Sequence, residues 1–391
     1  MRLLWVAHSF PRVEGDIAGA FLWRLAEALS DRGHEVTVLA PADRGDMGEP
    51  KLGRVEVRRL RYASPRLETI AYQGTMHELS ASPLGAWAFA ALVRTFRREI
   101  SRCLATGRYH LVHAHWWVPG GLAAVRAERH GRPAVITLHG TDMRLARAVP
   151  GGRMAMRWVL RRAALTTAVS SYLSAEAATV LRTTRDRVPV TPMPLALGIT
   201  GDPDSARHGA LFVGRLTRQK GVHDLLEALS ILKRQGLSVD LTIVGDGPER
   251  ANLKAQAIAA ALPVVFAGYV PPDEVGRHFV GKRLFCLPAY EEGLGLVVAE
   301  ALTQGVPVVA TRSGGIPDLM MDPEAGLLVP PGDPRSLAAA IRTVLMEDRF
   351  RIGAVRTGRI LAERLSPEAV AERFEGYYLR ARGARSSSAK L

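Results

Sequence analysis

The chain has 391 residues, 47% of them hydrophobic and 23% charged, with a formal net charge of +14. That length accommodates two ordinary domains, and the composition is globular rather than disordered or fibrous. Two cysteines, Cys103 and Cys286, do not make a disulfide framework and point to a reducing compartment, and no apolar run reaches the roughly 18 residues that a membrane-spanning helix needs.

The charge is unevenly placed. Residues 1–195 carry 28 Lys and Arg against 16 Asp and Glu, a net +12, whereas residues 196–391 carry 24 against 22, a net +2. A basic half reads either as a surface for an anionic partner, be it a membrane, a phosphorylated acceptor or nucleic acid, or as an Arg-rich solvated surface. Only six of the 52 cations are lysine, and no nucleic-acid-binding motif accompanies them. Met1–Ala7 is too short for a signal peptide and runs straight into His8, Pro11 and Arg12. The expected location is the cytoplasm.

In chain order, residues 2–7 predict a short buried strand and His8–Gly19 a loop. An amphipathic helix follows, with Phe21, Leu22, Leu25, Ala28 and Leu29 on one stripe, then a strand over Glu35–Pro41. A strand-helix-strand opening is of parallel α/β type. Residues 54–61 predict a basic strand and residues 69–83 an irregular polar stretch. Leu84–Ile100 predicts an apolar helix that ends among Arg94, Arg97, Arg98 and Arg102. Its apolar face reads either as a bilayer contact or as core with a solvated end.

Tyr109–His115 predicts a strand, followed by a helix from Gly120. His110, His113 and His115 carry metal-like spacing, but no carboxylate or cysteine joins them and no metal is expected. Residues 133–138 form an uninterrupted apolar strand that ends in His139-Gly140, and open parallel sheets present ligand-facing groups at such carboxyl ends. A basic helix over 152–163, a strand over 165–169 and a helix capped by Ser170 and reaching Val180 complete the first half. Val188–Gly198, with Pro189, Pro192 and Pro194, is the expected linker.

The second half restarts the alternation. Residues 209–213 predict a strand, Gly214 a turn, and Lys220 the neighbourhood of a helix start. Another strand, Leu241–Val244, leads to Gly245-Asp246-Gly247, and Val264–Val270 precedes Pro271–Glu274. The strand Leu284–Leu287 stops at Pro288, a loop holds Glu292-Gly293-Leu294-Gly295, and a helical segment from Leu296 to Leu302 closes at Gly305. Gly293 and Gly295 let the backbone approach a ligand closely, and amides opening a helix suit an anion or a sugar hydroxyl. Helices are expected over Asp333–Met346 and about Pro367–Arg380, with a disordered tail over 381–391.

Arg215, Lys220 and Glu292-x7-Glu300 with its embedded Gly-Leu-Gly, after His139-Gly140 and before Ser313-Gly-Gly-Ile-Pro-Asp318, resemble the retaining, nucleotide-sugar-dependent glycosyltransferases of family 4. The resemblance implies an α/β chain of GT-B architecture, two Rossmann-like domains with parallel sheets facing across a cleft. Residues 1–193 would form the acceptor side, with a C-terminal helix at about 366–380 packing back on it, and residues 194–365 would bind the donor. It implies catalytic roles for His139 at the reacting carbon, Arg215 and Lys220 on the diphosphate, and Glu292 on the sugar hydroxyls. Donor binding would fall to Gly19, Gly214, Tyr269, Val270, Gly293, Leu294, Gly295 and Glu300, the last on the ribose. No metal or cofactor is implied beyond the nucleotide-sugar substrate.

The chain departs from the family pattern at two places. Gly15-Asp-Ile-Ala-Gly19 replaces a glycine doublet, so Gly19 reads as either a phosphate-facing or a simple turn glycine, and residues 193–198 lack the family's Asn-Gly turn. The expected acceptor is a saccharide or lipid-linked cell-envelope precursor at the inner face of the cytoplasmic membrane, with an anionic membrane surface as partner. Alternatives are a nucleotide-sugar epimerase of the same fold, or a basic nucleic-acid-binding protein. Hydrolysis would need carboxyls about 5–9.5 Å apart, whereas eight residues of unbroken helix span about 12 Å.

Overall fold

The computed structural model describes residues 1–72, 82–196, 207–272 and 274–388. The chain divides into two compact units, Met1–Pro194 together with Pro367–Leu391, and Leu195–Ser366.

In the first unit Leu3, Leu4, Trp5 and Val6 are fully buried, as expected of a strand covered on both faces. This strand, β1 (Arg2–Val6), lies in a sheet with β2 (Glu35–Pro41), β3 (Lys51–Leu52), β4 (Val55–Leu60), β5 (Leu111–His115), β6 (Ala134–Leu138) and β7 (Leu165–Ala168). The order is β3-β4-β2-β1-β5-β6-β7. All pairings are parallel except β3 with β4, and Leu3 sits between Val36 and Leu111. α1 (Ala20–Asp31) turns Leu22, Leu25, Ala26, Ala28 and Leu29 into the core. α2 (Pro83–Ala105) buries Leu92, Val93, Phe96, Ile100 and Leu104, so the apolar face of this helix is core, while Leu84 and Trp87 at its start stay exposed.

The helix expected from Gly120 is present but irregular: the backbone turns over 117–121 with a kink at Val118, Gly121 is already helical, and a short α turn (Leu122–Ala124) passes into a 3-10 stretch (Val125–His130). Pro119, Gly120 and Gly121 are residues of poor helix propensity. The helices α3 (Thr141–Ala148), α4 (Gly152–Leu160) and α5 (Ser171–Leu181) follow, and the Ser170 hydroxyl accepts from the Leu173 amide at 3.4 Å.

The second unit holds β8 (Ala210–Val213), β9 (Leu241–Val244), β10 (Val264–Gly268), β11 (Leu284–Leu287), β12 (Val308–Thr311) and β13 (Gly326–Val329). They pair in parallel in the order β10-β9-β8-β11-β12-β13. Its helices are α6 (Val222–Arg234), α7 (Arg250–Ala259), α8 (Val275–Phe279), α9 (Leu296–Thr303), α10 (Pro334–Met346) and α11 (Arg349–Arg364). The helix expected near Lys220 is α6, which starts at Val222 behind a 3-10 turn over Arg218–Lys220 and a left-handed Gly221 (φ 65°).

The last helix, α12 (Pro367–Ser388), belongs to the first unit and runs past Arg380 through most of the segment expected to be disordered. Ala and Arg, common in that segment, are strong helix formers. Residues 389–391, residues 197–198 of the expected linker and residues 73–81 of the irregular stretch lie outside the described residues. No helix among the described residues is long and apolar enough to cross a membrane. Apart from β3, both sheets follow the 3-2-1-4-5-6 strand order, which opens a crevice at the carboxyl ends where the order reverses, between β1 and β5 and between β8 and β11.

Candidate active site

At the β8/β11 reversal of the second unit, Lys220 on the turn after β8 meets Glu292 on the loop after β11. Lys220 Nζ donates to Glu292 Oε2 at 2.5 Å, with the two side chains 25% and 16% exposed. A pair shielded to this degree leaves an uncompensated charge if either partner is removed. The loop carrying Glu292 is fixed from both sides. Tyr290 N–H donates to the Gln219 carbonyl at 2.8 Å, and Gly315 N–H donates to the Glu292 carbonyl at 3.1 Å. Two glycines make these approaches possible: a Cβ on Gly221 would overlap the Pro288 carbonyl, and one on Gly314 the Glu292 carbonyl.

Gly293 N–H turns back to Glu292 Oε1 at 3.2 Å, and Gly295 (φ 83°) caps α9 in the left-handed region. Glu300 lies on the second turn of α9 and is half-buried. Arg215 follows β8 and is exposed, while the Gly214 amide is engaged by the Val244 carbonyl at 3.0 Å. Leu294, within the loop, is buried. Tyr269 is exposed just beyond β10, three strand spacings from β11, or roughly 14 Å. Val270 follows it. Lys220, Glu292, Gly293 and Gly295 therefore share one crevice, and Tyr269 and Val270 stand at the far edge of the same sheet.

The reversal in the first unit is made of histidines and aromatic rings. His113 Nδ1 and Nε2 engage the Tyr378 hydroxyl and Thr137 Oγ1, each at 2.8 Å. His115 Nδ1 lies 3.1 Å from His139 Nε2, and the Trp116 ring stacks 4.4 Å from His139. Phe21, near the start of α1, is 5.4 Å from the same imidazole. Burial pushes His113 down to about 3 and His8 down to about 4. His115 and His139 are held well below the ordinary range by burial and by neighbouring imidazoles, so these imidazoles are uncharged at neutral pH. Asp142 fixes the His139 turn: it accepts from the Gly140 and Met143 amides at 2.8 and 3.1 Å, and burial raises it to about 6. Gly19 (φ 77°) caps α1 against the Ser9 carbonyl, so its conformation serves the turn directly.

Residues 18–196 match Glycosyltransferase Family 4, and residues 204–360 match Glycosyl transferases group 1. The D-inositol 3-phosphate glycosyltransferase of Acidothermus cellulolyticus is 30% identical over 96% of this chain and 88% of its own length. The chain belongs to glycosyltransferase family 4.

A second relative, the putative teichuronic acid biosynthesis glycosyltransferase TuaC of Bacillus subtilis, is 28% identical over 87% of this chain and 88% of its own. The Anabaena protein HepE, solved with UDP and glucose, shares the fold with a TM-score of 0.71 at 20% identity, over 96% of this chain and 99% of its own. This glycosyltransferase thus has the GT-B fold and takes a nucleotide-sugar donor. Among its described residues no group of three His, Cys, Asp or Glu is disposed to hold a metal.

His115, Trp116 and Asp142 were given no site role from the sequence, where His115 figured only among the three histidines of metal-like spacing. Asp142 had a readable signal, a carboxylate three residues after a strand end and opening a helix. The His115 contact with His139 had none, because it joins neighbouring strands whose register only the sheet sets.

Proposed function

We propose that this glycosyltransferase moves a hexosyl unit from a nucleoside-diphosphate sugar to a saccharide or lipid-linked precursor of the cell envelope, with retention at the anomeric carbon and without a metal. The Lys220–Glu292 pair at the β8/β11 reversal carries the reading. The demanding step is departure of the diphosphate as charge grows on its bridging oxygen, and fixed donors lower that barrier most. Arg215, Lys220 and the amides around Gly293 and Gly295 take this role. Since the Gly214 amide is engaged within the sheet, its contribution is to shape the turn that presents Arg215.

On donor arrival Lys220 turns to the phosphate and Glu292 to the sugar hydroxyls. Glu300 holds the ribose, main-chain groups at Tyr269 and Val270 meet the base, and Leu294 backs the loop. His139, kept neutral, steadies the sugar, and Gly19 orders the loop beside it. The bond from the anomeric carbon to the phosphate oxygen breaks while the acceptor oxygen bonds on the same face, and the acceptor proton passes to the departing phosphate. The TuaC relative supports an envelope acceptor, and HepE, solved with UDP and glucose, makes UDP-glucose the first donor to test. The working place is the cytoplasm, peripheral to the membrane.

A thermal-shift screen of nucleoside diphosphates and their sugars tests the donor site. Stabilisation is expected for one base and lost in Arg215→Ala and Lys220→Ala; full stabilisation in both variants would refute the assignment. Product anomeric configuration by NMR tests retention.

A further inference from the structure

Between Asp142 and Glu176 the chain holds six arginines and no carboxylate. α4 lies in that stretch. Its Met156, Val159 and Leu160 are buried, packing toward α5 and the 117–121 turn. The opposite side presents two rows at helical spacing, Met154-Trp158-Arg162 and Arg153-Arg157-Arg161. Met154 is 74% and Trp158 43% exposed, and the Arg162 guanidinium lies over the Trp158 ring at 4.0 Å. Arg157 Nε has no hydrogen-bond partner among the described residues. Partial desolvation, then the charges of Arg161 and Arg182, lower its proton affinity. Crowded cations around an apolar centre are disfavoured in water and relieved where an anionic, amphipathic surface arrives.

We propose that this face of α4 docks on an anionic lipid bilayer, with Met154 and Trp158 entering the headgroup boundary and the flanking arginines meeting lipid phosphates. Tryptophan favours that interface, and an exposed methionine gains by leaving water for acyl chains rather than for a nucleic-acid backbone. The assignment rests on the peripheral-membrane reading above and locates it away from the first turn of α2.

The full chain is tested by co-flotation with phosphatidylcholine vesicles, with and without phosphatidylglycerol, at low and high salt. An environment-sensitive dye on Met154→Cys reports the contact, since Cys103 and Cys286 are buried. Retention and a blue-shifted emission are expected only with phosphatidylglycerol at low salt. The combined Arg153→Gln, Arg157→Gln and Arg161→Gln variant should partition about 10–100-fold less, and Trp158→Ser less as well, both with unchanged thermal midpoints. The proposal falls if the chain is not retained, if it is retained while the dye at position 154 does not respond, or if duplex DNA shifts the dye as much as vesicles do. Vesicle binding without any nucleotide-sugar stabilisation would instead refute the donor-site reading and leave this surface standing.

Discussion

The two sheets share one strand order, yet the loops at their reversals carry opposite chemistry. In the first unit His113, His115 and His139 sit among Trp5, Trp116, Phe374 and Tyr378 without charge. In the second unit a Lys–Glu pair is held by a loop that glycines allow to pack backbone against backbone. The same topology therefore says where a ligand goes and leaves the loops to say what it is. Neutral imidazoles among aromatic rings suit a sugar ring, and the ammonium of Lys220 suits a diphosphate.

The hardest test of the contrast is removal of charge from the second unit. Lys220→Ala should lower kcat/KM by about 10²–10³-fold, checked by initial rates with the donor found in the screen; a similar loss from Lys220→Gln would show that the charge, not side-chain bulk, matters. Next is the loop itself. Gly314→Ala places a Cβ on the Glu292 carbonyl at φ 53° and should cost about 2 kcal/mol or more, read as a lowered thermal midpoint together with a weaker donor-induced shift.

The first unit should answer to pH instead. An unfolded histidine takes its proton near 6.5, while folded His113 does so only at about 3. Between these values the unfolded chain binds the extra proton, so the contribution is intact above about 6.5 and shrinks as pH falls, by about 2 kcal/mol at pH 5. Thermal midpoints against pH should show this acid limb, flattened in His113→Gln. The smallest effect expected is at His115. His115→Leu removes the contact that orients His139 and should cost about tenfold in rate, whereas His115→Asn, which can place an amide nitrogen near the Nδ1 position, should restore most of it; equal loss in both would separate His115 from the chemistry.

Most strands were legible because their residues are largely apolar, as in Leu3–Val6 of β1 and throughout β11, and such runs read alike wherever they occur. The pair Lys220 and Glu292 was legible as two entries in an ordered motif. Its 2.5 Å contact was not, since 72 positions separate the two residues and only the packing of the loop after β11 against the turn after β8 joins them. α3 was missed because eight residues behind a glycine carry too short a periodic signal.

Local pattern alone, then, determined the α/β alternation, the restart of that alternation in the second half and the residue types at the carboxyl ends of the strands, because burial on two faces and turn chemistry act over a few neighbours. Only the tertiary structure decided which ends stand side by side, that His115 meets His139, that α12 belongs with the first unit, and that α4 keeps Met154 and Trp158 in solvent. Those outcomes depend on strand order and packing between distant segments, and a linear periodicity does not encode them.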